Sequence, residues 1–331
     1  MRLLPPYRPS LCRAAALIAG ALAAKTALAN TALANTAPVD TAPMHTAAAI
    51  RASANVTRAA AASFTVRDDL GQPVTLPQSP VRIASLSPGA TEMLFAAGAD
   101  SRVVATVEYS DEPAAARAVP RIGDVVAIDM ERLLAARPQV VVAWPGGGNI
   151  AQVGAIERLG IPIYREQVNR LDDLGASLRR LGALMSTSEA AERAAHALEA
   201  KVAELASTYR TTTPRTVLLQ VWNHPLYTLG GGQLIGDVLR ICGTRNIFSD
   251  LTDQAPAVDP EAVIARDPDI IVAASPPGAG AQWIADWQRF TSLRAVRRGN
   301  LFVFEDQRLT RLGPSVIDAA AGLCALLATA H

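Results

Sequence analysis

The chain has 331 residues, half of them hydrophobic and 18% charged, with a formal net charge of +1. That length allows a substantial core and about two domains, and near-neutral, interspersed charge excludes an electrostatic footprint for nucleic acid or an acidic membrane. No apolar stretch in the body of the chain reaches the roughly 20 residues that a membrane-spanning helix needs.

The start reads as an export signal over residues 1–29. Arg2, Arg8 and Arg13 precede the apolar run AAALIAGALAA, and ALAN at Ala27–Asn30 offers a small-x-small cleavage site. An alanine-rich leader without targeting function is the alternative. Cys12 lies before the apolar run, which is badly placed for a lipoprotein anchor. Residues 30–62, with the repeat TALANTALANTA, carry no usable apolar period and read as a flexible lead-in. Cys242 and Cys324 remain after cleavage. An even pair in an exported chain most simply forms one disulfide, with two buried thiols as the alternative.

From Ser63 the pattern becomes regular. SFTVRDDLGQPVTLPQSP alternates apolar and polar residues around a DLGQ turn, which predicts a β-hairpin. VRIASL is a short buried strand. SPGATEMLFAAG is a compact helix capped by Ser87, opened by Pro88, carrying Glu92 in its first turn and stopped by Gly98. RVVATV is a strand, ERLLAARPQVVVAW a helix and strand, and LGIPIYRE a fourth strand. STSEAAERAAHALEAKVAELASTY then repeats apolar residues at helical period, with Ser186 and Glu189 in capping-box spacing. Such a helix is on the order of 33 Å long and suits a rigid brace. Beyond it RTVLLQV is a strand, GQLIGDVLRICG a helix, PEAVIARDPDIIVAA a helix and strand, LFVFE a strand and GPSVIDAAAGLCALLATA the final helix.

Strands alternating with helices imply an α/β fold of two Rossmann-like lobes with mainly parallel sheets joined by one long helix. The expected boundaries are 63–182 for the N-terminal lobe, 183–212 for the connecting helix and 213–331 for the C-terminal lobe.

DMERLLAARPQVVVAW from Asp129 is echoed by DPEAVIARDPDIIVAA from Asp259. Each copy places a glutamate, Glu131 or Glu261, in the first turn of its helix. Helix-start stabilisation explains one such residue; two at equivalent places could mark a symmetric docking surface.

Motifs of common enzyme classes are missing: no GxSxG, no GxxxxGK and no CxxC. WPGGGN and LGGGQ read as tight turns. A histidine-rich metal site is not expected, because His45, His196 and His331 lie in the lead-in, on the brace helix and at the last residue, leaving His224 alone in a loop. No catalytic residue and no metal ligand are assigned. In open α/β sheets, ligands settle outside the carboxyl ends of the strands. Tyr109, Trp144, Trp222, Tyr227 and Arg311 all follow strands there, suggesting a cleft with apolar walls.

At these residues the chain resembles the periplasmic binding proteins of iron-chelate and cobalamin importers. The likeness begins in FTVRDDLGQPVTLPQSPVRIASLSPGATEMLFAAG and runs to near the C-terminus. EYSDEP, VLLQVWNHPLYT, VLRICGTRNIF and RLGPSVIDAAAGLCALL resemble the cobalamin-binding branch in particular. The resemblance implies a non-enzymatic, monomeric periplasmic carrier that needs no cofactor, takes cobalamin or a related corrinoid as ligand, and delivers it to an ABC permease dimer at the inner membrane. Tyr109 and Trp144 would contact the ligand from the first lobe and Arg311 from the second, with Trp222 and Tyr227 adding aromatic surface. Glu131 and Glu261 would each meet arginines of one permease half, and Cys242 and Cys324 would be bonded. Val125, Val221 and Ala255 stand where the enterobacterial-type pattern has aromatics, and Gln307 where it has an acidic residue. Those departures keep a haem or ferric-siderophore carrier as the alternative.

Overall fold

In the computed structural model, which describes residues 63–146 and 150–331, the chain opens with the expected hairpin. Strands β1 (Phe64–Arg67) and β2 (Pro73–Leu76) pair antiparallel, Phe64 opposite Leu76. Asp68 holds the turn, its Oδ1 accepting the amides of Leu70 and Gln72 at 3.0 and 2.8 Å. The export signal and lead-in expected over residues 1–62, and Gly147–Asn149 of the WPGGGN stretch, lie outside the described residues.

The first sheet contains β3 (Ile83–Ser85), β4 (Val103–Ala105), β5 (Val140–Ala143) and β6 (Ile163–Arg165), all parallel, in the spatial order β4-β3-β5-β6. Around them lie α1 (Pro88–Ala96), α2 (Met130–Ala135) and α3 (Ile150–Arg158). Two helices then run back to back: α4 (Leu171–Met185) and α5 (Ser188–Thr208).

The second sheet comprises β7 (Arg215–Trp222), β8 (Tyr227–Thr228), β9 (Thr244–Asn246), β10 (Ile270–Ala274) and β11 (Leu301–Phe304). Its parallel strands run β9-β7-β10-β11, with β8 added antiparallel to the far half of β7. Helices α6 (Leu234–Ile241), α7 (Pro260–Arg266), α8 (Gly280–Ala285), α9 (Arg294–Arg297) and α10 (Val316–Ala328) complete this lobe. With only the parallel strands of each sheet numbered in chain order, both sheets have the order 2-1-3-4, so the duplicated stretch is one topological unit used twice. Asp129 caps α2 by accepting the Arg132 amide at 3.0 Å, and Asp259 caps α7 by accepting the Ala262 amide at 2.7 Å.

The strand periodicity explains the core. Val140–Ala143 and Ile270–Ala273 are fully buried or nearly so, as expected for parallel strands covered on both faces. Val140 and Val142 point to one cluster, while Val141 and Ala143 join Leu133 and Ile156 in another. The first of these clusters continues through Leu174, Leu178 and Leu181 of α4 and Ala191, Ala195 and Leu198 of α5 to Val217, Leu219, Ile270 and Val272 of the second sheet. The two lobes therefore share one apolar core across the brace.

Two sequence expectations need correction. Ser186 does not cap the long helix; it ends α4 in the left-handed conformation (φ 54°), and Thr187 precedes α5 without a side-chain cap. The one long helix expected between the lobes is α5, spanning 21 residues or about 31 Å, and α4 packs against it. A close crossing joins the pair, because a Cβ on Gly182 would collide with that of Ala191. Tyr227, expected to follow a strand, itself opens the short strand β8.

Candidate functional site

The loops leaving the carboxyl ends of the two sheets meet. After β3, Ser87 caps α1 by accepting the Ala90 amide at 3.1 Å. Gly89 then approaches the backbone of Leu312, past the end of β11, so closely that a Cβ would lie 2.8 Å from its carbonyl carbon. One turn further, Glu92 is 4% exposed, and its Oε2 accepts the Ser315 amide at 3.0 Å. Glu92 thus falls beyond the first turn and serves as a bridge between lobes instead of a helix-start charge. Burial pushes its carboxyl above the usual range, and Arg311 and the Ser315 amide draw it partly back.

Tyr109 lies at this end of the first sheet, 72% exposed and held at φ 65°. A left-handed tyrosine costs on the order of 1 kcal/mol and persists only where its surroundings impose it. Those surroundings are a buried hydroxyl network. Thr91 Oγ1 lies 2.6 Å from Thr106 Oγ1 and 2.9 Å from Ser85 Oγ, and Thr106 Oγ1 lies 2.9 Å from Ser110 Oγ. Arg121 Nη2 adds a bond to the Ser110 carbonyl at 2.9 Å. The network ties the turn carrying Tyr109 to β3, β4 and α1. No signal in the linear sequence marks it, since each hydroxyl alone reads as a turn or cap residue.

Trp144 follows β5 and is half-buried, its ring lying over Gly146, where a Cβ would come within 2.5 Å of Cζ2. In the second lobe, Trp222 ends β7, is 51% exposed, and meets Trp283 edge-on with centroids 6.1 Å apart. Tyr227 stands opposite Trp222 across the β7–β8 pair, so two large aromatics occupy one strand end. Trp287 Nε1 donates to Gln220 Oε1 at 2.8 Å, Gln220 Nε2 to Asn223 Oδ1 at 2.9 Å, and Asn223 Nδ2 to Asp286 Oδ2 at 2.9 Å. The Asn223 amide, chiefly, holds the Asp286 carboxyl below the usual range. This chain fixes the loop that carries the exposed His224.

Arg311 is largely buried at the lobe contact, with Nη1 3.7 Å from Glu92 Oε1. Val125 and Val221 are half-buried and Ala255 exposed. Glu131 and Glu261 are both exposed in the first turns of α2 and α7. Each helix feeds a parallel strand and so starts at the carboxyl end of its sheet, which sets both carboxylates on the same end of the molecule as the aromatics. Cys242, at the end of α6, is bonded to Cys324 in α10. Among the described residues, no group of three or more His, Cys, Asp or Glu side chains could hold a metal ion. No helix there is long and apolar enough to cross a membrane.

Two parallel-sheet lobes with a helical brace, meeting at strand ends furnished with aromatics, define a two-lobe substrate-binding protein. The chain belongs to the periplasmic binding protein family, whose profile matches residues 83–307. It is 32% identical over 246 residues to the vitamin B12-binding protein of Photorhabdus laumondii, covering 74% of this chain and 87% of that protein. It is 30% identical over 250 residues to the vitamin B12-binding protein of Vibrio cholerae, covering 76% and 90%. The crystal structure of the periplasmic vitamin B12 binding protein of Vibrio cholerae superposes with a TM-score of 0.68 at 30% identity, over 76% of this chain and 97% of that one. A periplasmic heme binding protein from Pseudomonas aeruginosa, at 25% identity, gives a TM-score of 0.63 over 76% and 94%.

Proposed function

We propose that this protein is a periplasmic carrier that captures cobalamin between its lobes and hands it to an ABC importer, without a catalytic step of its own. The observation that carries the reading is the pairing of aromatic residues at the meeting strand ends of both lobes with a likeness to vitamin B12-binding proteins of 30–32% identity. Tyr109 and Trp144 would line one wall, Trp222 and Tyr227 the other. Flat faces of this kind suit a macrocycle, and burying each contributes roughly 1–3 kcal/mol. Arg311 would reach the ligand's polar edge while its Nη1 stays beside Glu92.

Delivery would use Glu131 and Glu261. Both are exposed, both lie at the strand-end side of their lobes, and they sit on the two copies of one repeat, which matches a two-fold partner such as a permease dimer. Export to the periplasm rests on the arginine-flanked apolar run at the N-terminus. The test is uptake of labelled cobalamin by cells whose own carrier is deleted and which receive this chain. Uptake is expected, and Glu131→Arg/Glu261→Arg should abolish it while leaving melting temperature and cobalamin affinity unchanged. If the double variant still supports uptake, the glutamates only stabilise helix starts; if the parent supports none, the carrier reading is wrong.

A further inference from the structure

A groove of about 570 Å³ runs along α6, and none of the aromatic strand-end residues lines it. Four arginines reach it from four different elements: Arg170 just before α4, Arg210 just after α5, Arg240 in α6 and Arg245 in β9. The one carboxylate among the lining residues, Asp237, is already engaged. Its Oδ1 accepts from Arg240 Nη2 at 3.1 Å and its Oδ2 from the Leu171 amide at 3.2 Å, with Arg170 Nη2 3.8 Å away. Arg210 and Arg245 are exposed, and among the described residues neither has an acidic partner.

The backbone leaves room among these charges. Helix α6 buries Leu234, Ile235, Val238 and Leu239 and turns Gln233, Gly236, Asp237 and Arg240 to the groove. A glycine inside a helix weakens it relative to alanine. No neighbour requires this one, because a Cβ on Gly236 would meet nothing within 4 Å. Gly232 also lines the groove, at φ 73° and with the same open space around it. A cation is repelled here, and a neutral molecule would leave the guanidinium charges unmatched. A carboxylate fills one guanidinium fork. A phosphate group presents oxygens on several sides, which matches forks arriving from separate elements, and it can lie close against bare glycine backbone.

We infer that this groove binds a small phosphate-bearing polyanion, held by Arg210 and Arg245 with Arg170 and Arg240 beside it, against the open backbone of Gly232 and Gly236. The site is independent of the corrinoid reading.

Calorimetric titration of the full chain with pyrophosphate tests it, beside inorganic phosphate and acetate at matched ionic strength. Flotation with phosphatidylglycerol vesicles, against phosphatidylcholine vesicles, separates a lipid headgroup from a soluble anion. Saturable binding of about one pyrophosphate is expected, with weaker phosphate binding and none of acetate. Arg210→Gln/Arg245→Gln should weaken pyrophosphate by at least about tenfold through loss of charge-assisted contacts. Gly236→Glu places a carboxylate in the groove where no atom has to move, and glutamate is the better helix former. This variant should lose pyrophosphate yet keep the parent's melting temperature and its response to cyanocobalamin. Capture by phosphatidylglycerol vesicles alone, lost in both variants, would support the same chemistry with a lipid headgroup as its source. Acetate binding as tight as pyrophosphate, equal pyrophosphate affinity in the parent and the arginine double variant, or no saturation together with no variant-sensitive vesicle capture would each overturn the inference.

Discussion

Glu92 and Ser315 are 223 residues apart and joined by one hydrogen bond, the Ser315 amide donating to Glu92 Oε2 at 3.0 Å, with Arg311 beside the other oxygen. The bond links the first helix of one lobe to the last helix of the other. Truncation by Glu92→Ala strands the Ser315 amide and leaves Arg311 without its carboxylate, which should cost about 1–3 kcal/mol. Glu92→Gln keeps an acceptor for the amide and should cost less. Urea unfolding of the three proteins checks the order parent, Gln, Ala; an alanine variant as stable as the glutamine variant would deny the bond its role.

Glu166 offers a pH test. It is 1% exposed, and its Oε1 makes no hydrogen bond. Burial, followed by the neighbouring Asp69 and Glu92 carboxylates, pushes its carboxyl well above the usual range. The folded protein then holds a proton that the unfolded chain releases above about pH 4.3, so stability falls as pH rises from there through the folded pKa. Glu166→Gln removes the ionisation. Its advantage over the parent should be near zero at pH 4 and grow by up to about 1.4 kcal/mol per pH unit across that window. Melting curves from pH 4 to 8 read it directly, and a difference that stays constant with pH contradicts it.

The Cys242–Cys324 bond spans a sequence separation of 82 and pins α10 to α6. In the chain-entropy account, a loop of this size contributes about 4.5 kcal/mol, often less in practice. Cys242→Ser/Cys324→Ser should lower the denaturant midpoint accordingly. Protein from oxidising expression should show no free thiol at either position by mass spectrometry.

Trp144 and Trp222 face the ligand from different lobes in the proposed arrangement. Trp144→Ala and Trp222→Ala should each weaken cobalamin by roughly 1–3 kcal/mol, about tenfold to a hundredfold. Indole fluorescence in the parent should change on binding. Full affinity in either variant removes that tryptophan from the site.

The repeat, the alternation of strands with helices and the Ser87 cap were legible in the sequence because they are local. Asp129 and Asp259 announce helix starts, and the apolar runs VVVA and IIVAA announce strands buried on both faces. Helix α4 was missed because LDDLGASLRRLGALM carries two glycines and adjoins the stronger pattern of α5. The boundary between them depends on Ser186 adopting a left-handed backbone, which its side chain does not disclose. Short β8 and β9 escaped because each borrows its stability from one half of β7. The Glu92–Arg311–Ser315 contact and the hydroxyl network under Tyr109 escaped because their members are ordinary residues whose meaning comes only from distant partners.

The central claim is that a corrinoid is the ligand. Calorimetric titration of the purified protein with cyanocobalamin, haem and a ferric siderophore, side by side in one buffer, tests it most directly. The account predicts saturable binding of one cyanocobalamin per chain, tighter than either iron ligand and weakened in Trp144→Ala. Saturable haem or ferric-siderophore binding with no heat from cyanocobalamin would contradict it.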